Sequence, residues 1–330
     1  MTRILSYNIL VGGARRIDYI ERMIRTVDPD VVGLVEADNR EVVQELARRL
    51  DMEYCTNAAP DGSWRTSIAL LSRLPIVQST VYASQGLIIR PLLEVTLLEA
   101  HGEKLTAFVT HLVASFSHGR GNDTTRRKEV REILRIMRAN HGPHVLMGDF
   151  NALAPGDTLK ASTLLRYLVE IDQQQQQGLH NGERDGHPSL NGVVPPQLRF
   201  LNPLLCLVPR NRLLSALFDE AGSLYAPRGT IGLLNAAGYV DCFRYVNPRA
   251  WGFTCPAEAP AGRIDYLFAN PALATRLSAC KVVSGDEQVH GGDASDHLPI
   301  MVEFGVGIET TFRPYKDELV EASETVGETL

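Results

Sequence analysis

The sequence predicts an α/β fold, and three observations predict it. Short, continuously apolar runs such as 31–35 and 145–147 end in turn residues and fit strands covered on both faces. Amphipathic stretches at 16–27, 41–50 and 123–139 fit helices laid on a sheet by one apolar stripe. Between 67 and 110 four strand-like segments follow one another without a helix, so the class is α/β with an α+β portion.

The first strand is expected at 4–10, with Asn8 near its end before Gly12 and Gly13. Ile17, Ile20, Met23, Ile24 and Val27 then recur at helical spacing until Asp28-Pro29 stops them. The run 31–35 delivers Glu36 at its C-terminal end, either as solvated surface or as a directed carboxylate. A helix at 41–50 buries Val42, Leu46 and Leu50. Strands follow at 67–71, 74–81, 92–98 and 105–110, the last ending in His111, a satisfied turn histidine or a catalytic one. The helix at 123–139 turns Val130, Ile133, Leu134 and Met137 inward and a basic face outward; Arg126 and Arg127 in its first turns lie close enough in sequence to His111 to meet an anionic substrate.

The segment 144–152 declares chemistry most plainly. An apolar strand ends at Gly148 and presents Asp149 and Asn151 two positions apart, on one face if the backbone stays extended. An Asx turn is the plain alternative. From 155 to 227 the pattern weakens: a helix at 159–171, a glutamine run at 173–177 read as a solvated connector, and an apolar stretch from 198 to 217. The stretch 200–209 is too short and proline-broken to span a membrane; it reads as a cap on the core or as a lid or interfacial patch. Residues 234–243 read as a helix end passing into a strand or loop. The strand 263–269 carries Asp265 on its inner face, where a carboxylate needs a partner. Ser295-Asp296-His297 leads into a closing strand at 298–302.

One large domain over 1–305 with an insertion at about 155–227, then an acidic tail at 306–330, suits this length better than two equal domains. With 33 basic against 39 acidic residues and a formal charge of −6, no overall basic field holds nucleic acid nonspecifically, although a local basic rim stays open. The 5 cysteines are scattered without a CxxC pair, which fits a reduced compartment. The N-terminus lacks the apolar core and cleavage site of a signal peptide, and no long apolar run follows, so a cytoplasmic location is expected.

Asn8, Glu36, His111, Asp149, Asn151, Asp265, Asp296 and His297 all stand at the ends of apolar strands. Carboxylates without Cys/His zinc spacing suit a hard cation, Mg2+ or Mn2+. Histidines beside acids suit an oxyanion and proton transfer. Together they describe metal-assisted attack of water on phosphorus.

In that order, with Ser6-Tyr7-Asn8, Ala69-Leu70-Leu71-Ser72-Arg73-Leu74-Pro75, Thr110-His111, Gly148-Asp149-Phe150-Asn151, Arg263-Ile264-Asp265-Tyr266 and Ser295-Asp296-His297, the chain resembles the endonuclease/exonuclease/phosphatase superfamily. The resemblance spans nearly everything outside 155–227 and implies a four-layered α/β sandwich, two mostly antiparallel sheets flanked by helices. It implies that Glu36, with Asn8 beside it and Asp296 in or near the shell, holds Mg2+ or Mn2+. Asp149 would position or deprotonate water, Asn151 would hold the phosphate, and His297, oriented by Asp265, would act on it with His111. Val35 stands where the family has a glutamine. The expected activity is phosphodiesterase or phosphatase on a lipid-like, inositol phosphate or nucleic acid substrate. The alternatives are a nuclease using Arg65, Arg73, Arg126 and Arg127 on the backbone, and a catalytically silent scaffold.

Overall fold

Alternation along the strands decides which way each sheet faces. In β1 (Thr2–Asn8) Ile4 points to one core and Leu5 to another; in β2 (Val31–Val35) Val31 and Val35 join Ile4, while Val32 and Leu34 join Leu5. A computed structural model describes residues 1–57, 67–82, 89–114, 120–176, 187–194 and 196–306 of the chain. Arg65, Gln177 and the acidic tail beyond 306 lie outside the described residues.

The chain continues through α1 (Ile17–Arg25), α2 (Arg40–Leu50), β3 (Glu53–Thr56), β4 (Ile68–Ser72), β5 (Ile76–Tyr82), β6 (Leu92–Leu98), β7 (Lys104–His111), α3 (Arg120–Met137) and β8 (His144–Asp149). Then come α4 (Ala161–Gln176), α5 (Leu190–Val193), α6 (Asn202–Leu205), α7 (Arg212–Tyr225) and α8 (Gly229–Ala236). The chain closes with β9 (Val240–Asp241), α9 (Cys242–Val246), β10 (Asp265–Ala269), α10 (Pro271–Ala274), β11 (Leu277–Val282), α11 (Gly291–Ala294) and β12 (Ile300–Phe304). The glutamine run is helical through Gln176 rather than a loose connector, because α4 carries on past Ile171. No helix among the described residues is long and apolar enough to cross a membrane.

Two six-stranded sheets form, in the orders β11-β12-β1-β2-β4-β3 and β5-β6-β7-β8-β10-β9. Each has a parallel pair at its centre, β1 with β2 and β7 with β8, and antiparallel neighbours outside it. Their facing sides make a dry core of Ile4, Val35, Ile68 and Leu70 against Val95, Ala107, Val109, Met147 and Leu267. On the outer face of the first sheet Ile20, Met23 and Ile24 of α1 and Val42, Val43 and Leu46 of α2 pack on Leu5, Val32, Leu34 and Leu71. On the second, Val130, Ile133, Leu134 and Met137 of α3 and Ile231 and Leu234 of α8 pack on Phe108, Leu146 and Phe268. The expected four-layered sandwich of two mostly antiparallel sheets is therefore observed, each sheet carrying one parallel pair. A fourth cluster, Leu165, Tyr167, Leu168, Ile171 and Leu190, gathers α4 and α5 beyond the sheets.

Candidate active site

The register places the polar strand ends together. Residues at the C-terminal ends of β1, β2, β7 and β8 and at the N-terminal end of β10 lie at one rim, since β10 runs antiparallel to β8 with Asp265 opposite Asp149, and β7 runs parallel with His111 opposite Asp149. Gly148 makes this possible. Its φ is +142°, and a Cβ there would sit 1.8 Å from the Thr110 carbonyl oxygen, so only glycine lets β8 close on β7 and set Asp149 beside His111.

Asp149 is 2% exposed and divides its two oxygens between structure and chemistry. Oδ1 accepts from the Asn151 backbone N–H at 2.9 Å, so the Asx turn is real. Oδ2 accepts from Asn8 Nδ2 at 3.2 Å and from Asn151 Nδ2 at 3.1 Å, and lies 3.5 Å from His111 Nε2 and 3.9 Å from His297 Nε2. Asn151 adopts a left-handed φ of +49°, which asparagine tolerates.

Asn8 bridges the two sheets. Its amide donates to Glu36 Oε1 as well, at 3.2 Å, and its Oδ1 accepts from Leu10 N. Glu36 adopts a left-handed φ of +56°, a strained conformation for a side chain of this size, and its Oε2 accepts from Val11 N at 2.9 Å. Ser295 donates through Oγ to the Asn8 carbonyl at 2.7 Å and accepts from His297 N, so the residues before β12 are fastened to the end of β1. His297 Nδ1 donates to Asp265 Oδ2 at 2.8 Å.

The electrostatics follow from crowding. Burial, then repulsion from Asp265, pushes the Asp149 carboxyl up to about 7, although His297 opposes the shift. Burial also lifts Asp296 to about 6, with Glu36 adding repulsion and His297 and Arg16 attraction. His297 is held well above the usual histidine range: burial works against the charge, but Asp265, Cys255 and Asp296 together outweigh it. His111 is driven well below that range by burial, Arg90 and His297. Its Nδ1 has no hydrogen-bond partner among the described residues, so no acid there orients its ring through that nitrogen. Their surroundings thus push the two rings in opposite directions, His297 toward its charged form and His111 toward its neutral one.

Glu36, Asp149, Asp265 and Asp296 stand so close that each raises or is raised by a neighbour. That excess of buried oxygen-donor charge fits a divalent cation. Asp149, Asp265 and His297 can each turn a ligand atom to within 4.8 Å of the others. A second such group, Glu99, His101 and Glu103, lies at the opposite end of β6 and β7, where Glu99 is already paired with Arg276 at 2.6 Å.

The basic candidates are placed differently. Arg126 is fully buried, donates to the Val113 carbonyl at 3.1 Å and feels the Asp149 charge. Arg127 packs its stem against Gly229 at the start of α8. Arg73 pairs with Asp28 at 2.6 Å beside the N-terminal end of β2, opposite the rim. Sequence reasoning missed Arg90. Its Nη1 donates to the Leu112 carbonyl at 3.2 Å, and its charge acts on Asp149, Glu36 and His111. Nothing in Ile89-Arg90-Pro91 signals that position.

The profile of the endonuclease/exonuclease/phosphatase family matches residues 5–297. No curated protein matches the sequence. Among solved structures, an AP endonuclease from Archaeoglobus fulgidus superposes with a TM-score of 0.59 at 14% identity, covering 93% of this chain and 100% of its own. A 3′ phosphatase from Neisseria bound to product DNA hairpin gives 0.59 and 14%, with the same coverage. An endonuclease/exonuclease/phosphatase from Beutenbergia cavernae gives 0.57 at 19%, covering 92% of this chain and 72% of its own. These likenesses carry the fold, and the family match over most of the chain carries membership: the protein belongs to the endonuclease/exonuclease/phosphatase family.

Proposed function

We propose that the protein is a divalent-metal-dependent hydrolase of phosphate esters, a phosphodiesterase or phosphatase. The convergence on Asp149 Oδ2 carries the reading: two amides and two imidazoles surround one buried carboxylate oxygen. A base that must take a proton from water works best with a pKa near the working pH, and burial brings Asp149 to about 7. Glu36, Asn8 and Asp296 are the residues that would hold Mg2+ or Mn2+, which when bound supplies Lewis-acid neutralisation of the phosphate oxygens.

The chain's own groups perform the rest. Asp149 orients and deprotonates the attacking water. His297, kept protonated by Asp265, places positive charge against the phosphate as negative charge grows there, a preorganised arrangement that needs no reorientation during reaction. Asn151 donates to a phosphate oxygen once it leaves Asp149 Oδ2, and neutral His111 offers its Nε2 on the other side.

A nuclease is the second reading, favoured by similarity to an AP endonuclease and to a DNA-bound 3′ phosphatase. The net charge of −6 and the burial of Arg126 weigh against a long nucleic-acid track. Product release should be measured with Mg2+, Mn2+ or EDTA over DNA, RNA, inositol phosphates, sphingomyelin and bis(p-nitrophenyl) phosphate, with Asp149→Ala and His297→Ala in parallel. Turnover that needs metal and disappears in both variants supports the reading. Turnover that survives EDTA or either substitution refutes it.

A further inference from the structure

Glu129 lies on α3, outside the motifs that mark the site, and is only 1% exposed. A buried carboxylate is costly unless something holds it, and here the partners are main chain. Oε1 accepts from the backbone N–H of Ile89 at 3.2 Å and from that of Arg90 at 3.3 Å. Oε2 has no hydrogen-bond partner among the described residues. Burial pushes the carboxyl up from its ordinary range, opposed by the Arg90 N–H and the Arg90 charge. An apolar side chain would pack at this place without that cost, so the carboxylate is explained by what it grips.

What it grips leads to the catalytic rim. Ile89-Arg90-Pro91 is the approach to β6, and β6 pairs with β7 so that Leu92 stands opposite Thr110, next to His111. Arg90 Nη1 donates to the Leu112 carbonyl at 3.2 Å, and the same carbonyl accepts from Asn151 Nδ2 at 3.1 Å. The Leu112 N–H donates to the Asp149 carbonyl at 2.9 Å. The backbone of Leu112 thereby ties Arg90 to both Asp149 and Asn151. One turn earlier on the same face of α3, Arg126 donates to the Val113 carbonyl at 3.1 Å. Through Glu129 the helix holds the approach to β6, and through Arg126 the exit from β7.

We propose that Glu129 is a positioning residue: it fixes the main chain at 89–90 so that the Arg90 guanidinium meets the substrate's phosphate beside Asp149 and His111. The phosphate contact rests on the phosphate-ester hydrolase reading; the grip on the main chain does not.

The test is steady-state hydrolysis of bis(p-nitrophenyl) phosphate with Mg2+ or Mn2+ by wild type, Glu129→Leu, Glu129→Gln, Arg90→Gln and Glu129→Leu/Arg90→Gln. Glu129→Leu should raise KM about 5- to 20-fold and change kcat less than about threefold, the pattern of lost substrate binding. Glu129→Gln keeps an acceptor oxygen at the same reach and should hold KM within about threefold of wild type. Beside Arg90→Gln, the leucine substitution should change KM less than about twofold, because the group it positions is gone. A residue that only supported the fold would act by the same factor in both backgrounds. Should Glu129→Leu not fold, Glu129→Asp, one methylene too short for both N–H groups, takes its place in the cycle.

The positioning role is overturned if the leucine variant keeps the wild-type KM, if glutamine does not spare KM, or if the leucine effect is undiminished beside Arg90→Gln. Hydrogen exchange of the Ile89 and Arg90 amides needs no turnover: in Glu129→Leu both should exchange at least about tenfold faster than in wild type. Unchanged exchange overturns the grip. Faster exchange in a chain that cleaves no phosphate ester supports the grip and overturns the hydrolase reading, with the phosphate contact that rests on it. Turnover with an unmoved KM overturns the positioning role alone.

Discussion

Asp265 Oδ2 takes a 2.8 Å hydrogen bond from His297 Nδ1, and both side chains are buried. The carboxylate fixes the ring and favours its charged form, against the cost of burial. Asp265→Asn keeps the shape and removes the charge. Activity should fall about 10²- to 10⁴-fold, mostly in kcat. Because His297 loses its strongest support as a cation, the alkaline fall in kcat should move to lower pH; an unmoved alkaline limb would sink the assignment.

Asp149 should trade stability for function. An ordinary aspartate titrates at 3.8, whereas this one is raised to about 7 by burial and then by Asp265. The folded chain therefore holds a proton that the unfolded chain releases between those values. Its contribution is complete below the unfolded value and is lost as pH rises through the folded one. In EDTA, the wild-type melting temperature should fall between about pH 4 and pH 7 and level off above, and Asp149→Asn should melt higher than wild type at pH 8 while being inactive. Mg2+ at a hundredfold over its Kd should return about 2.7 kcal/mol to the wild type. An Asn variant no more stable than wild type at pH 8 would contradict this account.

The charge of Arg90 acts on Asp149, Glu36 and His111, while its guanidinium is held by the Leu112 carbonyl. It is a candidate anchor for a phosphate oxygen. Arg90→Gln should lower kcat/KM about 10- to 100-fold, chiefly through KM, since charge-assisted hydrogen bonds are worth roughly 1.5–3 kcal/mol. The His111 pKa, followed by NMR, should rise once the cation is gone. A KM within twofold of wild type would remove Arg90 from the substrate site.

Gly33 in β2 lies against Met147 in β8, where a Cβ would come within 2.7 Å of the sulfur. Gly33→Ala should cost about 1–3 kcal/mol by overpacking the space between the sheets. Adding Met147→Val should recover part of that loss, a coupling that denaturant melts of the two single variants and the double variant can measure. Additive losses would mean the two positions do not compete for space.

The legible part of the site is the part with backbone periodicity behind it. Asn8, Glu36, His111 and Asp149 each follow an apolar strand, so the amino-acid pattern by itself sends their side chains to a common rim. Two strands escape such a reading. β3 has half-buried polar residues on an edge, and β11 alternates too weakly against solvent to stand out. Helical spacing sets Arg126 on a solvated face, yet it is buried under the loop that follows β7, a tertiary contact that such spacing does not encode. Arg90 carries no pattern at all; only the fold brings it to His111.

The order of synthesis sets when the side chains around Asp149 come together. β1 pairs with β12, Thr2 against Phe304, and Ser295 is bonded to Asn8 across 287 positions. The strand that carries Asn8 gains its parallel neighbour β2 early but waits 287 positions for Ser295, which fastens it to the approach to β12. At translation speeds of about 5–20 residues per second that wait is roughly 15–60 s. Until it ends, His297 has not been made, and the set of side chains around Asp149 Oδ2 is incomplete.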